Sequence, residues 1–312
     1  MGELDEERLE DSLALLSGRG RLRQPQREAL TALALAFQQA GTDLSPDALE
    51  IAANFEQLAG FSVSDTGIAE GDFALATGVG KSRLAGATVE LLVGAGLSKT
   101  YMVLSHRDLL NRRWRDALEP NSPKTVVPLY AGKPDYVVID SAVDLGGRSL
   151  EDDVVVIAQT VQTITNPRSL WWQDAMSDRD LRDWLRKRND LVVIFDESHH
   201  LHGDGSGRGW RAALSDLNAK MILGLTATPR GNRHVLYEYS LSKLLVEGKY
   251  SKHVDFIVDS VSGAMTEADT DQTALDVGLQ LLDSKKAHVC SLPKDHILKD
   301  WSPALLIAVS SV

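Results

Sequence analysis

The chain has 312 residues, 43% hydrophobic and 25% charged, which is globular composition with enough apolar side chains for one large core or two smaller ones. A formal net charge of −11 argues against a protein whose whole surface binds nucleic acid, but it leaves room for local basic patches. A single cysteine, Cys290, excludes an intrachain disulfide, and residues 1–7 are acidic and polar, unlike a secretory leader. No apolar run approaches the roughly 20 residues that a bilayer-spanning helix needs, so a soluble cytoplasmic protein without membrane contacts is expected.

Residues 4–60 read as helical. Leu9, Leu13, Leu15 and Leu16 precede a break at Gly18-Arg19-Gly20. Residues 26–39 are rich in Ala and Leu and stop at Gly41, and Ser45-Pro46-Asp47 starts a helix over 48–58. From residue 72 onward, short apolar runs alternate with amphipathic stretches. Strands are predicted over 72–76, 100–104, 125–129, 137–140, 154–158, 191–195 and 220–225, and helices over 81–93, 108–118, 177–188 and 210–217. Strands without polar alternation suit a parallel sheet covered on both faces, and their alternation with helices suits βαβ crossovers. A helix over 241–247, a strand over 253–258 and a polar then helical stretch over 262–285 follow. Residues 303–312 begin a strand of buried type with nothing after it, so a piece of a longer protein is expected.

Three basic groups stand out: Arg19, Arg21, Arg23 and Arg27; Arg107, Arg112, Arg113 and Arg115; and Arg182, Arg186, Lys187 and Arg188. Asp178, Asp180, Asp183 and Asp190 interleave with the third, which is the mixed-sign pattern of a solvated helix face.

Chemistry concentrates in three segments, each at the end of an apolar run. The first is Ala76-Thr77-Gly78-Val79-Gly80-Lys81-Ser82. Gly78 and Gly80 let backbone amides turn inward, and those amides together with the start of the next helix can bind phosphate. Lys81 would reach the β- and γ-phosphates and Ser82 would ligate magnesium. The full G-x-x-x-x-G-K-[ST] pattern asks for glycine where this chain has Leu75. The second segment is Asp196-Glu197, directly after residues 191–195. A carboxylate at the tip of a buried strand is costly unless a cation pairs with it. Asp196 would hold magnesium, and Glu197 would orient and deprotonate the attacking water. His199, His200 and His202 invite a zinc reading, which is disfavoured because the cluster is compact, lacks cysteine and has its best carboxylates assigned. The third segment, Thr226-Ala227-Thr228, follows residues 221–225. Its hydroxyls could hydrogen-bond the Asp-Glu-x-His segment, the alternative being a plain strand-end turn closed by Pro229.

In this order the segments resemble superfamily 2 helicases of the DEAD/DEAH-box type. Residues 76–82 look like motif I, which in that family often begins with alanine. Asp196-Glu197-Ser198-His199 resembles the DEAH box with serine for alanine, and Leu225-Thr226-Ala227-Thr228-Pro229-Arg230 resembles motif III. Leu22-Arg23-Gln24-Pro25-Gln26 resembles the adenine-reading segment, with Gln26 as the adenine contact. Met102-Val103-Leu104-Ser105-His106-Arg107 looks like motif Ia, and Val156-Ile157-Ala158-Gln159-Thr160 like the next segment that touches a nucleic-acid backbone. The most similar pattern is the helicase module of type III restriction subunits, and the resemblance covers about residues 20–240.

The resemblance implies an α/β fold: a RecA-like P-loop domain with a mainly parallel central sheet and a helical N-terminal extension. It implies a helical segment with the adenine-contacting motif over 1–60, the ATP-binding domain over 61–260, a helical linker over 261–302 and the first strand of a second RecA-like domain over 303–312. ATP and Mg2+ are the implied substrate and metal, with Thr77, Gly78, Val79, Gly80, Lys81 and Ser82 at the nucleotide. Lys81 and Glu197 are the implied catalytic residues, Ser82 and Asp196 the metal ligands, and His199, Thr226 and Thr228 the coupling residues. Ser105, His106, Arg107, Gln159 and Thr160 are the implied nucleic-acid contacts, with DNA favoured over RNA. In the family a second motor domain supplies arginines worth ~10³–10⁵ in rate in related NTPases. This chain is therefore expected to bind ATP and to hydrolyse it poorly by itself. The alternatives are the motor part of a restriction or phage-defence subunit, and a nucleotide-binding scaffold that does not translocate.

Overall fold

The computed structural model describes residues 1–2, 4–19, 22–41, 44, 61–63, 67–139, 150, 153–166, 168, 181–199, 207–229, 235–250 and 267–291. The chain divides into two units, Met1–Lys252 and His253–Val312. In the first unit, helices α1 (Glu6–Arg19) and α2 (Gln24–Ala40) precede strands β1 (Ser62–Val63) and β2 (Ala69–Leu75). Next come α3 (Lys81–Gly94), β3 (Thr100–Ser105), α4 (Asp108–Leu118), a 3-10 turn at Pro128–Tyr130, β4 (Tyr136–Ile139) and β5 (Val154–Thr160). Then follow α5 (Val161–Thr165), α6 (Leu181–Arg186), β6 (Leu191–Asp196), α7 (Gly207–Asp216), β7 (Met221–Thr226), β8 (Val235–Tyr239) and α8 (Leu241–Glu247).

The strands form one sheet in the order β1-β2-β7-β6-β3-β5-β4, with β8 also paired to β2. Every pairing is parallel except β1 with β2. The expected mainly parallel α/β sheet is therefore present. Alternate residues of each strand face opposite sides. One face carries Phe73, Leu75, Val103, Ile194 and Leu223, packed with Leu9, Leu30, Phe37, Leu84 and Leu91 from α1, α2 and α3. The other carries Met102, Leu104, Ile157, Val193, Phe195 and Ile222, covered by Leu181, Leu185, Leu214 and Leu217. All of these side chains are buried, and each contributes about 1.5–3 kcal/mol over its exposed state.

Because the strands run parallel, their C-terminal ends share one edge. Leu104 pairs with Gln159 on one side and Phe195 on the other, and Gly224 pairs with Phe195 and Asp72. The segments that end strands in the sequence thus gather along the edge where ligands bind in open α/β sheets.

Several sequence expectations need adjustment. Residues 125–129 do not form a strand. Pro128 has no N–H to give a ladder, and the segment is tied instead to helices. Val126 N donates to Ala117 O (2.7 Å), Leu129 N donates to Glu90 Oε1 (2.8 Å), and Arg83 donates to Val126 O. Strands β1 and β8 and the short helix α5 were not anticipated, the first two being short edge pairings with β2. Helices α1 and α2 pack against α3. The expected helix over 48–58, the strands over 253–258 and 303–312, and His200 and His202 lie outside the described residues. In the second unit the described element is helix α9 (Glu267–Ser291), which covers much of the expected helical stretch. No described helix is long and apolar enough to cross a membrane.

Candidate nucleotide site

β2 stops at Leu75 and α3 starts at Lys81, leaving a short glycine loop between them. Gly78 (φ 92°) and Gly80 (φ 104°) both take left-handed backbone that other residues rarely adopt. Val79 is fully buried and anchors the loop from below, while Thr77 and Gly78 are exposed. Gly80 caps α3 with no side-chain hydrogen bond, so the first amides of this 14-residue helix keep their N–H groups directed at the loop.

α2 clasps the loop from behind. Gln26 is 2% exposed, and its Nε2 donates to Val79 O (3.1 Å) and Gly80 O (2.9 Å). Its Oε1 accepts from Arg23 N (2.8 Å). A Cβ at position 80 would lie 2.4 Å from Gln26 Nε2, so the glycine is required by this close approach as well as by its φ. Arg23 donates to Gly78 O (2.6 Å) and stacks over the Tyr250 ring at 5.5 Å.

The end of β6 faces the loop. Lys81 Nζ lies 3.0 Å from Glu197 Oε1. His199 Nδ1 lies 3.4 Å from Glu197 Oε2 and 3.2 Å from Thr226 Oγ1 at the end of β7. Thr226 Oγ1 also accepts from Thr228 N (3.1 Å), closing the turn. Asp196 accepts from the Trp114 indole Nε1–H (2.8 Å), delivered by α4. Burial pushes the Asp196 carboxyl above its ordinary value, and neighbouring Glu197 adds to this, while the Trp114 hydrogen bond and Lys81 oppose it. Glu197 has φ 56°, a left-handed conformation of the kind that costs about 1–3 kcal/mol for a non-glycine residue and persists where surrounding contacts hold it.

The expected nucleotide, catalytic and coupling residues therefore come together: Lys81, Glu197, His199, Thr226 and Thr228 form one connected network, with Asp196 beside it. Magnesium suits this donor set. Asp196 and the exposed Ser82 hydroxyl offer hard oxygen ligands, and a cation would offset the cost of holding Asp196 half-buried next to a second carboxylate.

The expected nucleic-acid residues divide into two kinds. Ser105 is buried and its hydroxyl donates to Arg107 O (3.4 Å). Thr160 is buried as the N-cap of α5, accepting from Thr163 N (3.2 Å), and Gln159 is 7% exposed. These three side chains shape the strand ends. The His106 ring packs edge-on against Phe195 at 5.4 Å, and its carbonyl accepts from Gln162 Nε2 (3.0 Å). Arg107, Arg112, Arg113 and Arg115 are exposed on and before α4. In the third basic group, Arg186 pairs with Asp183 and Asp216 at the surface, as expected of a solvated face.

Trp114 and Tyr250 carry no sequence signal for this site. Trp114 reads as an apolar helix position, and its partner lies 82 residues away, so no local spacing reveals the contact.

No curated protein matches the chain. Among solved structures, the SWI2/SNF2 ATPase core of Sulfolobus solfataricus in complex with dsDNA is similar at 16% identity with a TM-score of 0.35, covering 61% of this chain. The chain spans about a third (33%) of that protein's length. The family described as "Type III restriction enzyme, res subunit" matches residues 19–231, well over half of the chain. That match takes in Gln26, the glycine loop, Asp196-Glu197 and Thr226-Ala227-Thr228, so the chain belongs to the res-subunit family of type III restriction enzymes and is a helicase-type motor domain.

Proposed function

We propose that this chain is the first motor domain of an ATP-driven nucleic-acid motor: it binds ATP on the glycine loop, and hydrolysis there, slow in this domain by itself, is coupled to movement on DNA. The observation that carries the reading is the 3.0 Å Lys81–Glu197 pair, which puts a phosphate-binding cation and a candidate general base in one site. Lys81 and the loop amides of residues 77–82 hold the β- and γ-phosphates. Glu197 takes a proton from water as the water oxygen bonds to the γ-phosphorus and the bond from that phosphorus to the β–γ bridging oxygen breaks, releasing ADP and phosphate. Ser82 and Asp196 hold Mg2+, which when bound neutralises phosphate charge. His199, in reach of both Glu197 and Thr226, relays the state of the γ-phosphate to the Thr226–Thr228 turn.

For Gln26 the supporting observation concerns the loop. Its Nε2 is engaged there and its Oε1 accepts from Arg23 N, so Gln26 acts first as a clasp of the loop, and an adenine contact would require these bonds to be exchanged. For nucleic acid, the exposed Arg107, Arg112, Arg113 and Arg115 supply positive charge beside the strand ends at Ser105 and Thr160, where His106 also lies. Contacts of this kind meet phosphates and are sequence-tolerant and salt-sensitive. The family's described role makes a restriction-type enzyme acting on DNA the assembly in which such a motor would serve.

The test is ATP turnover with double-stranded DNA, single-stranded DNA and RNA across a salt series. DNA should stimulate turnover, stimulation should fall with salt, and Lys81→Ala should abolish it. Turnover indifferent to every nucleic acid, or binding flat in salt, would defeat the motor reading.

A further inference from the structure

Where the helicase box has alanine, this chain has Ser198, and the side chain is fully buried. Its hydroxyl donates to Asp72 Oδ1 at 3.3 Å. Asp72 is 1% exposed and sits in β2, the strand that runs into the phosphate loop. β2 and β6 are not neighbours, because β7 lies between them. The crossing is possible because the β7 residue at that level is Gly224, paired with Asp72 on one side and with Phe195 on the other. A Cβ on Gly224 would fall 1.8 Å from Asp72 Oδ1 and 2.5 Å from Ser198 Oγ. Gly224 is not in a left-handed conformation, so space for these two side chains is what it supplies.

Resting on the nucleotide-site reading, we infer that Ser198, Asp72 and Gly224 form a positioning device that locks the backbone at Glu197 to the phosphate-loop strand. Ser198 is the next residue after Glu197, whose φ of 56° needs outside support. The hydrogen bond over Gly224 supplies that support on the C-terminal side, and the Lys81 pair supplies it through the side chain. Ser198 and Asp72 do not touch substrate. They set where the Glu197 carboxylate stands relative to Lys81, so their loss should lower turnover without weakening nucleotide binding.

The experiment compares Ser198→Ala, Gly224→Ala and Glu197→Gln in the full chain. Three readouts are used: kcat and KM for ATP, affinity for a non-hydrolysable ATP analogue, and amide hydrogen exchange of peptides covering 195–199. Ser198→Ala should lower kcat about tenfold with KM and affinity unchanged, since small misplacements of a reacting group cost rate. It should speed exchange in that segment about tenfold with the rest of the sheet unchanged, as local opening does. Gly224→Ala should reproduce both effects, and the double variant should be no worse than either single one. The exchange arm requires no turnover. Unchanged exchange and unchanged kcat in Ser198→Ala, with Glu197→Gln inactive, overturns the positioning role and leaves the nucleotide site standing. Full turnover in Glu197→Gln overturns the site reading and this inference with it.

Discussion

Lys81 Nζ and Glu197 Oε1 are 3.0 Å apart, an ion pair joining the start of α3 to the end of β6. Both side chains are partly exposed, at 14% and 34%, so the pair is a contact within a cleft and its strength is screened by water. A triphosphate would compete with Glu197 for the same ammonium. Lys81→Ala is therefore expected to weaken ATP binding at least ~10-fold by removing a charge-assisted contact. Glu197→Gln is expected to bind ATP as tightly as the parent or more so, while losing about 10²–10⁴-fold in turnover as a general base is removed. Calorimetric titration with ATP and single-turnover hydrolysis separate the two. Weaker ATP binding by Glu197→Gln would contradict the competition.

Gln26 holds the carbonyls of Val79 and Gly80, so its removal should loosen the loop whatever base the nucleotide carries. Gln26→Ala is expected to weaken ATP and GTP binding alike, by about tenfold, from the loss of its two hydrogen bonds to the loop. A loss confined to ATP would instead mark a direct adenine contact. Competition binding with both nucleotides decides between loop clasp and base reader.

Trp114 gives Asp196 a hydrogen bond of 2.8 Å from a nearly buried indole. Such bonds to charged acceptors are worth about 1.5–3 kcal/mol. The Asp196 carboxyl already stands above its ordinary value through burial, and the Trp114 bond opposes that rise. Trp114→Phe should raise it further, so protons compete better with magnesium. The Mg2+ concentration for half-maximal ATP binding should increase in the variant, and more so at pH 6 than at pH 8. A Mg2+ requirement identical to the parent at both pH values would exclude this role.

Asp190 ties the starts of β3 and β6 together. Its carboxylate accepts from Lys99 N (2.8 Å), Thr100 Oγ1 (3.0 Å) and Arg188 Nε (3.1 Å). Burial alone would raise its pKa, but these hydrogen bonds and the Arg188 charge outweigh it and leave the group below its ordinary 3.8. A carboxyl depressed on folding stabilises the fold above its unfolded pKa, and that stability is lost as pH falls through the folded value. Asp190→Asn should therefore lower Tm clearly at neutral pH, by the equivalent of about 1–3 kcal/mol. The gap between variant and parent should narrow as pH drops below 3.8. Thermal unfolding followed by circular dichroism from pH 7 downward measures it, and a gap constant with pH would refute the assignment.

The sequence by itself determined the fold class and most strand and helix positions, because buried parallel strands leave unbroken apolar runs and α4 and α7 leave clear periodic patterns. It also determined the three chemical segments, since a glycine loop, a strand-end carboxylate pair and a strand-end hydroxyl turn are each local. It misread residues 125–129, where apolar character comes from packing a loop under α3 and the decisive signal was Pro128. Only the tertiary structure decided which distant residues share the site. Strand order is not written in any local pattern, yet it is the insertion of β7 between β2 and β6 that turns Gly224 into a passage for Ser198 and Asp72. Likewise, the folding of α4 and α2 onto the sheet brings Trp114 to Asp196 and Gln26 to the back of the phosphate loop. Such contacts depend on which faces cover the apolar sheet, a property of the whole core.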